Sequence, residues 1–322
     1  MLVACFAISL TACAAFHRSS ARVVTVPVAD LRAQPHSPAH SMEHDPEQET
    51  QVLYGERVRV LKTEGAWDFV EAVEQPEFTH HRRWQGYPGW ILHDLLQPLP
   101  KAWRPNAVVT AKWATVWHDA DGTEPWIELP LGTWVVITNQ TGLVWRVRLT
   151  SGAIGWMSQG QVTLRRDLAR LSTTQRRRAV IRAAEQMLGD PYFWGGRSPS
   201  RGPNTAQLTG VDCSGLVNLA YRAAGVRIPR DAHEQHVRAR HLSPHQLQPA
   251  DLICLSEPDH PRKIVHVMLY AGDGWLIEGP GTGLPIRRIE ITQRLGRPLR
   301  DLKAGDTVDH QRVSFGAYLP PS

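Results

Sequence analysis

Short strand-like runs fill the first half of the chain, and helical spacing enters only in the second. Val52 to Val60 alternates apolar and polar positions and predicts a strand. Ala66-Trp67-Asp68-Phe69-Val70 and Gly86-Tyr87-Pro88-Gly89-Trp90-Ile91 follow it. The same order then returns: Trp134 to Thr138, Val144 to Leu149, and Gly152-Ala153-Ile154-Gly155-Trp156-Met157. Each set holds a Trp-x-x-Val or Trp-x-Val run and then a Gly-Trp, which reads as a duplication. Two small all-β barrels are expected, over 22–98 and 104–166, with a proline-containing linker around Gln97 to Pro105. The segment from Gln34 to Gln51, rich in Pro, His and Glu, reads as a long loop within the first.

Beyond them the period changes. Arg176-Arg177-Arg178 reads as the solvated start of a helix running through Arg182 to Leu188. Ser214 to Ala224 places Leu216, Leu219 and Ala220 on one apolar face, with Gly225 as C-cap. Ile264 to Tyr270 is strand-like, Gly272-Asp273-Gly274 supplies a turn, and Trp275 to Glu278 returns. Paired as a hairpin, these strands would bring His266 and Glu278 together.

That geometry bears on Cys213, which would stand at a helix N-terminus where exposed N–H groups and the dipole favour a thiolate. A nucleophilic cysteine needs a base, and the base needs a third polar group to hold its productive tautomer. Taken singly, Cys213 also reads as a structural cysteine and His266 as a satisfied core histidine.

Several ordered motifs carry a resemblance. Tyr-x-Trp-Gly-Gly from Tyr192, Asp-Cys-Ser-Gly-Leu from Asp212, Ile-Pro-Arg-Asp-Ala-x-x-Gln from Ile228, Pro-x-Asp-Leu from Pro249 and His-Val-x-x-Tyr-x-Gly-Asp-Gly from His266 resemble NlpC/P60 cysteine peptidases. The resemblance implies a papain-like α+β core over 171–320, Cys213 as nucleophile, His266 as general base, and no metal or cofactor. The third catalytic position of the family is often histidine, whereas Glu278 stands here; a carboxylate can accept the imidazole N–H and stabilise imidazolium. Ser198 to Leu208 is an insertion expected to loop out near the cleft.

The two barrels ahead of this core resemble bacterial SH3-like domains. The order as a whole is similar to γ-D-glutamyl-L-diamino acid dipeptidyl-peptidases acting on muropeptides, in which the first SH3-like domain limits the cleft to substrates with a free N-terminal L-Ala. That similarity implies substrate contacts at Tyr87 and Asp231, a weaker one at Glu49 ahead of a Gln51-to-Glu56 strand, and Asp212 and Ser214 beside the nucleophile. The other readings of Asp231 and Tyr87 are a turn-stabilising aspartate and a core tyrosine.

Composition narrows the rest. At 322 residues, 42% hydrophobic and 21% charged, the chain is an ordinary globular one with room for two or three cores. A net charge of +5 suits an anionic setting such as a bacterial wall, and no nucleic-acid-binding motif accompanies it. Of four cysteines, Cys5 and Cys13 lie in an apolar stretch too short to span a membrane but suited to a secretory signal over 1–20. Leu10-Thr11-Ala12-Cys13 resembles a lipobox, so export and a lipid anchor at Cys13 are expected, although no Lys or Arg precedes the apolar run. Cys254 reads as a core residue, and a bridge to Cys213 would destroy the nucleophile. His233-x-x-His236 lacks a third metal ligand, and His80-His81-Arg82-Arg83 reads as a solvated loop. Three functions stay open: peptidase at the γ-D-Glu to diamino acid bond of peptidoglycan stems, silent wall-binding protein, or amidase or acyltransferase on the same core.

Overall fold

The structure, a computed structural model, describes residues 21–37, 44–202 and 208–322. The leader and lipobox readings at 1–20 lie outside the described residues. No described helix is long and apolar enough to cross a membrane.

The first β unit contains β1 (Ala21–Val24), β2 (Val28–Arg32), β3 (Gln48–Leu53), β4 (Arg57–Glu64), β5 (Trp67–Glu77), β6 (Gln85–Leu92) and β7 (Leu96–Pro98). The second contains β8 (Ala107–Val109), β9 (Trp113–Trp117), β10 (Pro125–Pro130), β11 (Trp134–Thr141), β12 (Val144–Arg148), β13 (Ile154–Ser158) and β14 (Val162–Leu164). Their strand orders are 3-2-6-5-4-1-7 and 10-9-13-12-11-8-14. Adding seven to each number of the first order reproduces the second, so the repeat seen in the sequence is a repeat of topology.

Helices follow: α1 (Arg165–Ala169), α2 (Thr173–Glu185), α3 (Cys213–Ala223) and α4 (Ala232–Arg238). A third sheet is built from β15 (Arg240–His241), β16 (Leu252–Ser256), β17 (Ile264–Gly272), β18 (Trp275–Glu278), β19 (Arg287–Glu290), β20 (Thr307–Val308) and β21 (Gln311–Ala317), with α5 (Ile291–Leu295) after β19. Helix α3 packs on this sheet and α2 packs on α3, so Val180, Leu216, Val217, Val267 and Leu269 share one core. Val28 and Leu53 of the first β unit and Leu131 of the second belong to the same cluster. Burying apolar surface contributes about 25 cal/mol per Å², and here that contribution also fixes both β units against the α+β core.

Several boundaries differ from expectation. The alternation from Val52 to Val60 spans two strands, because Gly55, at φ 75°, turns the chain between β3 and β4. Glu49 accordingly lies inside β3, and the expected loop ends before Gln48. Arg177 is no solvated helix start. It is buried and pairs with Asp251 at 2.7 Å, 74 residues away. The described part of the insertion leans on the second β unit, where Arg201 stacks over Trp113 and pairs with Glu128.

Candidate active site

Cys213 is the first residue of α3, and Asp212 is its N-cap, accepting the Gly215 N–H at 2.6 Å. The cap satisfies one of the orphan donors at the helix start and presents Cys213 at the end where the dipole favours negative charge. The turn before it packs tightly: a Cβ on Gly215 would lie 2.1 Å from the Gly196 carbonyl oxygen, and one on Gly195 would lie 2.6 Å from that of Gln48. Glycine at these positions lets the helix of Cys213, the turn and β3 meet. The Tyr192 hydroxyl is held against the Cys213 backbone N–H, and burial pushes its acidity far out of the physiological range.

Beneath the cap lies Arg230. Its Nη1 and Nη2 donate to the two Asp212 oxygens at 3.0 and 2.8 Å, and Nη1 also reaches Ser214 Oγ at 2.8 Å. Its Nε donates to Thr50 Oγ1 in β3 at 2.7 Å. The polar atoms of Asp212 and Ser214 are thereby engaged within the protein, although both residues line the cleft.

The β17–β18 hairpin carries His266 and Glu278. His266 Nε2 lies 3.0 Å from Glu278 Oε2, which leaves Nδ1 for Cys213. Burial would depress the imidazole, but its hydrogen bonds to Cys213 and Glu278 outweigh that and raise it to about 9. Glu278 is fully buried. Arg287, directly opposite it in β19, donates to Oε1 from Nε and Nη2 at 2.9 and 2.7 Å. Arg294, on α5, donates from Nε to Oε2 at 3.0 Å. Burial favours the protonated acid, but His266, Arg294 and Arg287 together hold the carboxyl down at about 2.

The cleft that contains Cys213 has a volume of about 1310 Å³, and the first β unit walls one side of it through Glu49, His80 and Tyr87. The buried Tyr87 hydroxyl donates towards Asp231 Oδ2 at 3.0 Å and Glu49 Oε2 at 3.2 Å. Burial raises Asp231 to about 7; Arg230 opposes the rise, while Glu234 and Asp212 add to it. His80 bridges Glu49 and Glu77 at 3.3 and 3.0 Å, and those two hydrogen bonds raise it to about 10. His80 lies in the exposed turn expected of residues 80–83 and lines the cleft as well.

Residues 189–295 match the family model described as NlpC/P60 family. Residues 189–295 thus form an NlpC/P60 domain, the domain of a family of cysteine peptidases. It is 28% identical over 247 residues to the γ-D-glutamyl-L-lysine dipeptidyl-peptidase of Bacillus subtilis, covering 77% of each chain. The Bacillus cereus protein of the same name is also 28% identical, over 72% of this chain and 67% of its own. Peptidoglycan endopeptidase RipB of Mycobacterium tuberculosis is 39% identical over 122 residues, 35% of this chain and 49% of that one. Among solved structures, an NlpC/P60 family protein from Bacillus cereus superposes with a TM-score of 0.75 at 23% identity, over 94% of this chain and all of that one.

Within the NlpC/P60 domain the structure brings Cys213, His266 and Glu278 together and places Asp231 across the cleft from Tyr87 and Glu49. Arg230, Arg287 and Arg294 escaped the sequence reading. Arg230 sits inside the Pro-Arg-Asp match, a usable signal; Arg287 and Arg294 stand in none of the motifs. His233 Nδ1 accepts the Ile264 N–H at 3.3 Å, and His236 packs on His241 at 4.6 Å between ring centroids. Cys254 is buried on β16, a free thiol like Cys213.

Proposed function

We propose that this protein is a cysteine peptidase that hydrolyses the γ-D-Glu to diamino acid bond of peptidoglycan stem peptides and requires a free N-terminal L-Ala. One observation carries this reading: Glu49, Tyr87 and Asp231 meet at the wall of the cleft that also contains Cys213, with the Tyr87 hydroxyl bonded to both carboxylates. Glu49 and Asp231 are its carboxylates, with His80 3.3 Å from Glu49 and the buried Arg230 guanidinium 3.6 Å from Asp231. A substrate ammonium fits there, because charge-assisted hydrogen bonds to carboxylates are strong and directional. The names of the two Bacillus relatives fit the same bond.

The chemistry follows from the roles proposed for three residues. The Cys213 thiolate attacks the γ-carbonyl carbon, and the Cys213 N–H with the Tyr192 hydroxyl offers donors for the developing oxyanion. His266 gives its proton to the departing α-nitrogen of the diamino acid, leaving a thioester on Cys213. A water then loses a proton to His266 and attacks the thioester, releasing L-Ala-γ-D-Glu and regenerating the Cys213 thiolate beside protonated His266. Glu278 orients the imidazole and stabilises its charged form.

The two seven-stranded units are taken as SH3-like barrels over 22–98 and 104–166, ahead of a catalytic domain over 171–320; their repeated strand order supports this division. An exported, cell-envelope location suits relatives named for peptidoglycan cleavage. The test is product identity. Incubation with L-Ala-γ-D-Glu-L-Lys or its diaminopimelate analogue should release L-Ala-γ-D-Glu and the free diamino acid, read by mass; cleavage at any other bond, or none, refutes the assignment.

A further inference from the structure

Glu278 is a buried carboxylate with more hydrogen-bond partners than an imidazole-orienting acid requires. His266 takes one side of Oε2, Arg294 Nε the other, both at 3.0 Å, and Arg287 occupies Oε1 with two donors. A lone carboxylate in a dry site is expensive, and removing one partner of such a cluster leaves an uncompensated charge. The two guanidiniums come from separate elements, β19 and α5, and both retain some solvent contact, with side-chain exposures of 38% and 20%. Arg287 takes the oxygen that His266 leaves free, and Arg294 shares Oε2 with the imidazole.

We infer that Arg287 and Arg294 are positioning residues for the peptidase reaction: they clamp Glu278 so that it serves as a fixed, ionised acceptor for His266. This rests on the proposed role of Glu278 as the third catalytic group. Arg287 anchors Oε1 through two charge-assisted N–H···O bonds, from Nε and Nη2, that converge on that one oxygen. Arg294 shares Oε2 with the imidazole and so sets how much negative charge the imidazolium meets. Cys213 and Glu278 face His266, Arg287 and Arg294 face Glu278, and Tyr192, Asp212 and Arg230 lie around Cys213. Removing the Arg294 charge leaves Glu278 less offset, so the imidazolium is held more strongly.

The experiment records kcat and KM against pH, with thermal unfolding, for the full-length wild type and for Arg294→Gln, Arg294→Lys, Arg287→Gln and Glu278→Gln. Arg294→Gln should lower kcat by about ten- to hundredfold with KM nearly unchanged, because the base loses its alignment. It should also move the alkaline limb of the kcat profile upward, by up to about one pH unit for a charge a few ångströms away. Arg294→Lys, which keeps the charge, should hold the limb in place. Arg287→Gln should lower kcat in the same way. A merely structural arginine predicts lowered unfolding temperatures with the limb unmoved in every folded variant, and that outcome, like a downward shift in Arg294→Gln, overturns the inference. If Glu278→Gln is impaired while Arg294→Gln and Arg287→Gln match the wild type, the clamp alone is wrong; if Glu278→Gln itself matches the wild type, the assignment of Glu278 has failed.

Discussion

Tyr87 donates to Asp231 at 3.0 Å across 144 residues of chain, joining β6 of the first β unit to the start of α4 in the NlpC/P60 domain. The Tyr87 hydroxyl thus gathers a carboxylate from each side at the cleft wall, Glu49 from the β unit and Asp231 from the N-cap of α4. In the proposed function this cluster sets substrate choice, and the Cys213 dyad sets chemistry.

Chemistry is tested first at the nucleophile. Cys213→Ala or His266→Ala should cost about 10³-fold or more in turnover, because thiolate attack needs both the sulfur and a base. Near-normal turnover in a folded Cys213→Ala protein would remove the peptidase from this site.

His266 also predicts a pH limit. With its folded-state imidazolium raised to about 9 by Cys213 and Glu278 against burial, turnover should fall as pH rises through about 9. Stability follows the same pair. Glu278, held down at about 2, contributes stability above its unfolded value near 4.5 that is lost as pH falls from there towards 2. His266, raised, contributes stability fully present below 6.5 and lost as pH climbs from there to about 9. Denaturant midpoints in wild type should therefore decline on both sides, and Glu278→Gln should flatten both slopes.

Much of this was legible in the sequence, because Cys213, His266 and Glu278 each sit in a local pattern: a helix start, a strand and its hairpin return. The arginines were not. Arg287 in an exposed-looking strand and Arg294 in a short helix have the same signature as solvated charges, and only the fold brings them onto Glu278. Arg177 misled for the same reason, since its partner Asp251 lies in a different element. The Val52 to Val60 alternation continued across Gly55, which hid a turn inside an unbroken pattern.

Arg230 offers a stability prediction. It is fully buried, bridges Asp212 to Thr50, and so ties the nucleophile's cap to the first β unit. Arg230→Met should destabilise by about 3–5 kcal/mol, since Asp212 would be left buried without its partner. Adding Asp212→Asn should recover part of that loss in a double-mutant cycle; strictly additive effects would show the pair to be uncoupled.

Substrate binding should itself depend on pH. Asp231, raised to about 7 mainly by burial, becomes a full anion only above neutrality, so KM for a free-ended peptide should improve as pH rises through about 7. It should worsen again as the peptide's own α-amino group deprotonates near about 8. Asp231→Asn should abolish the first of these limbs.

The central claim is that this cluster of Glu49, Tyr87 and Asp231 at the cleft wall reads a free α-ammonium. It is tested most directly by comparing kcat/KM for L-Ala-γ-D-Glu-L-Lys and its N-acetylated form on the wild-type enzyme. Acetylation removes the charge that Asp231 and Glu49 meet and adds bulk at a wall, so the blocked peptide should lose a charge-assisted bond of about 1.5–3 kcal/mol, roughly ten- to a hundredfold, before any clash. Equal cleavage of the two peptides would contradict the account and make this cleft that of an open endopeptidase.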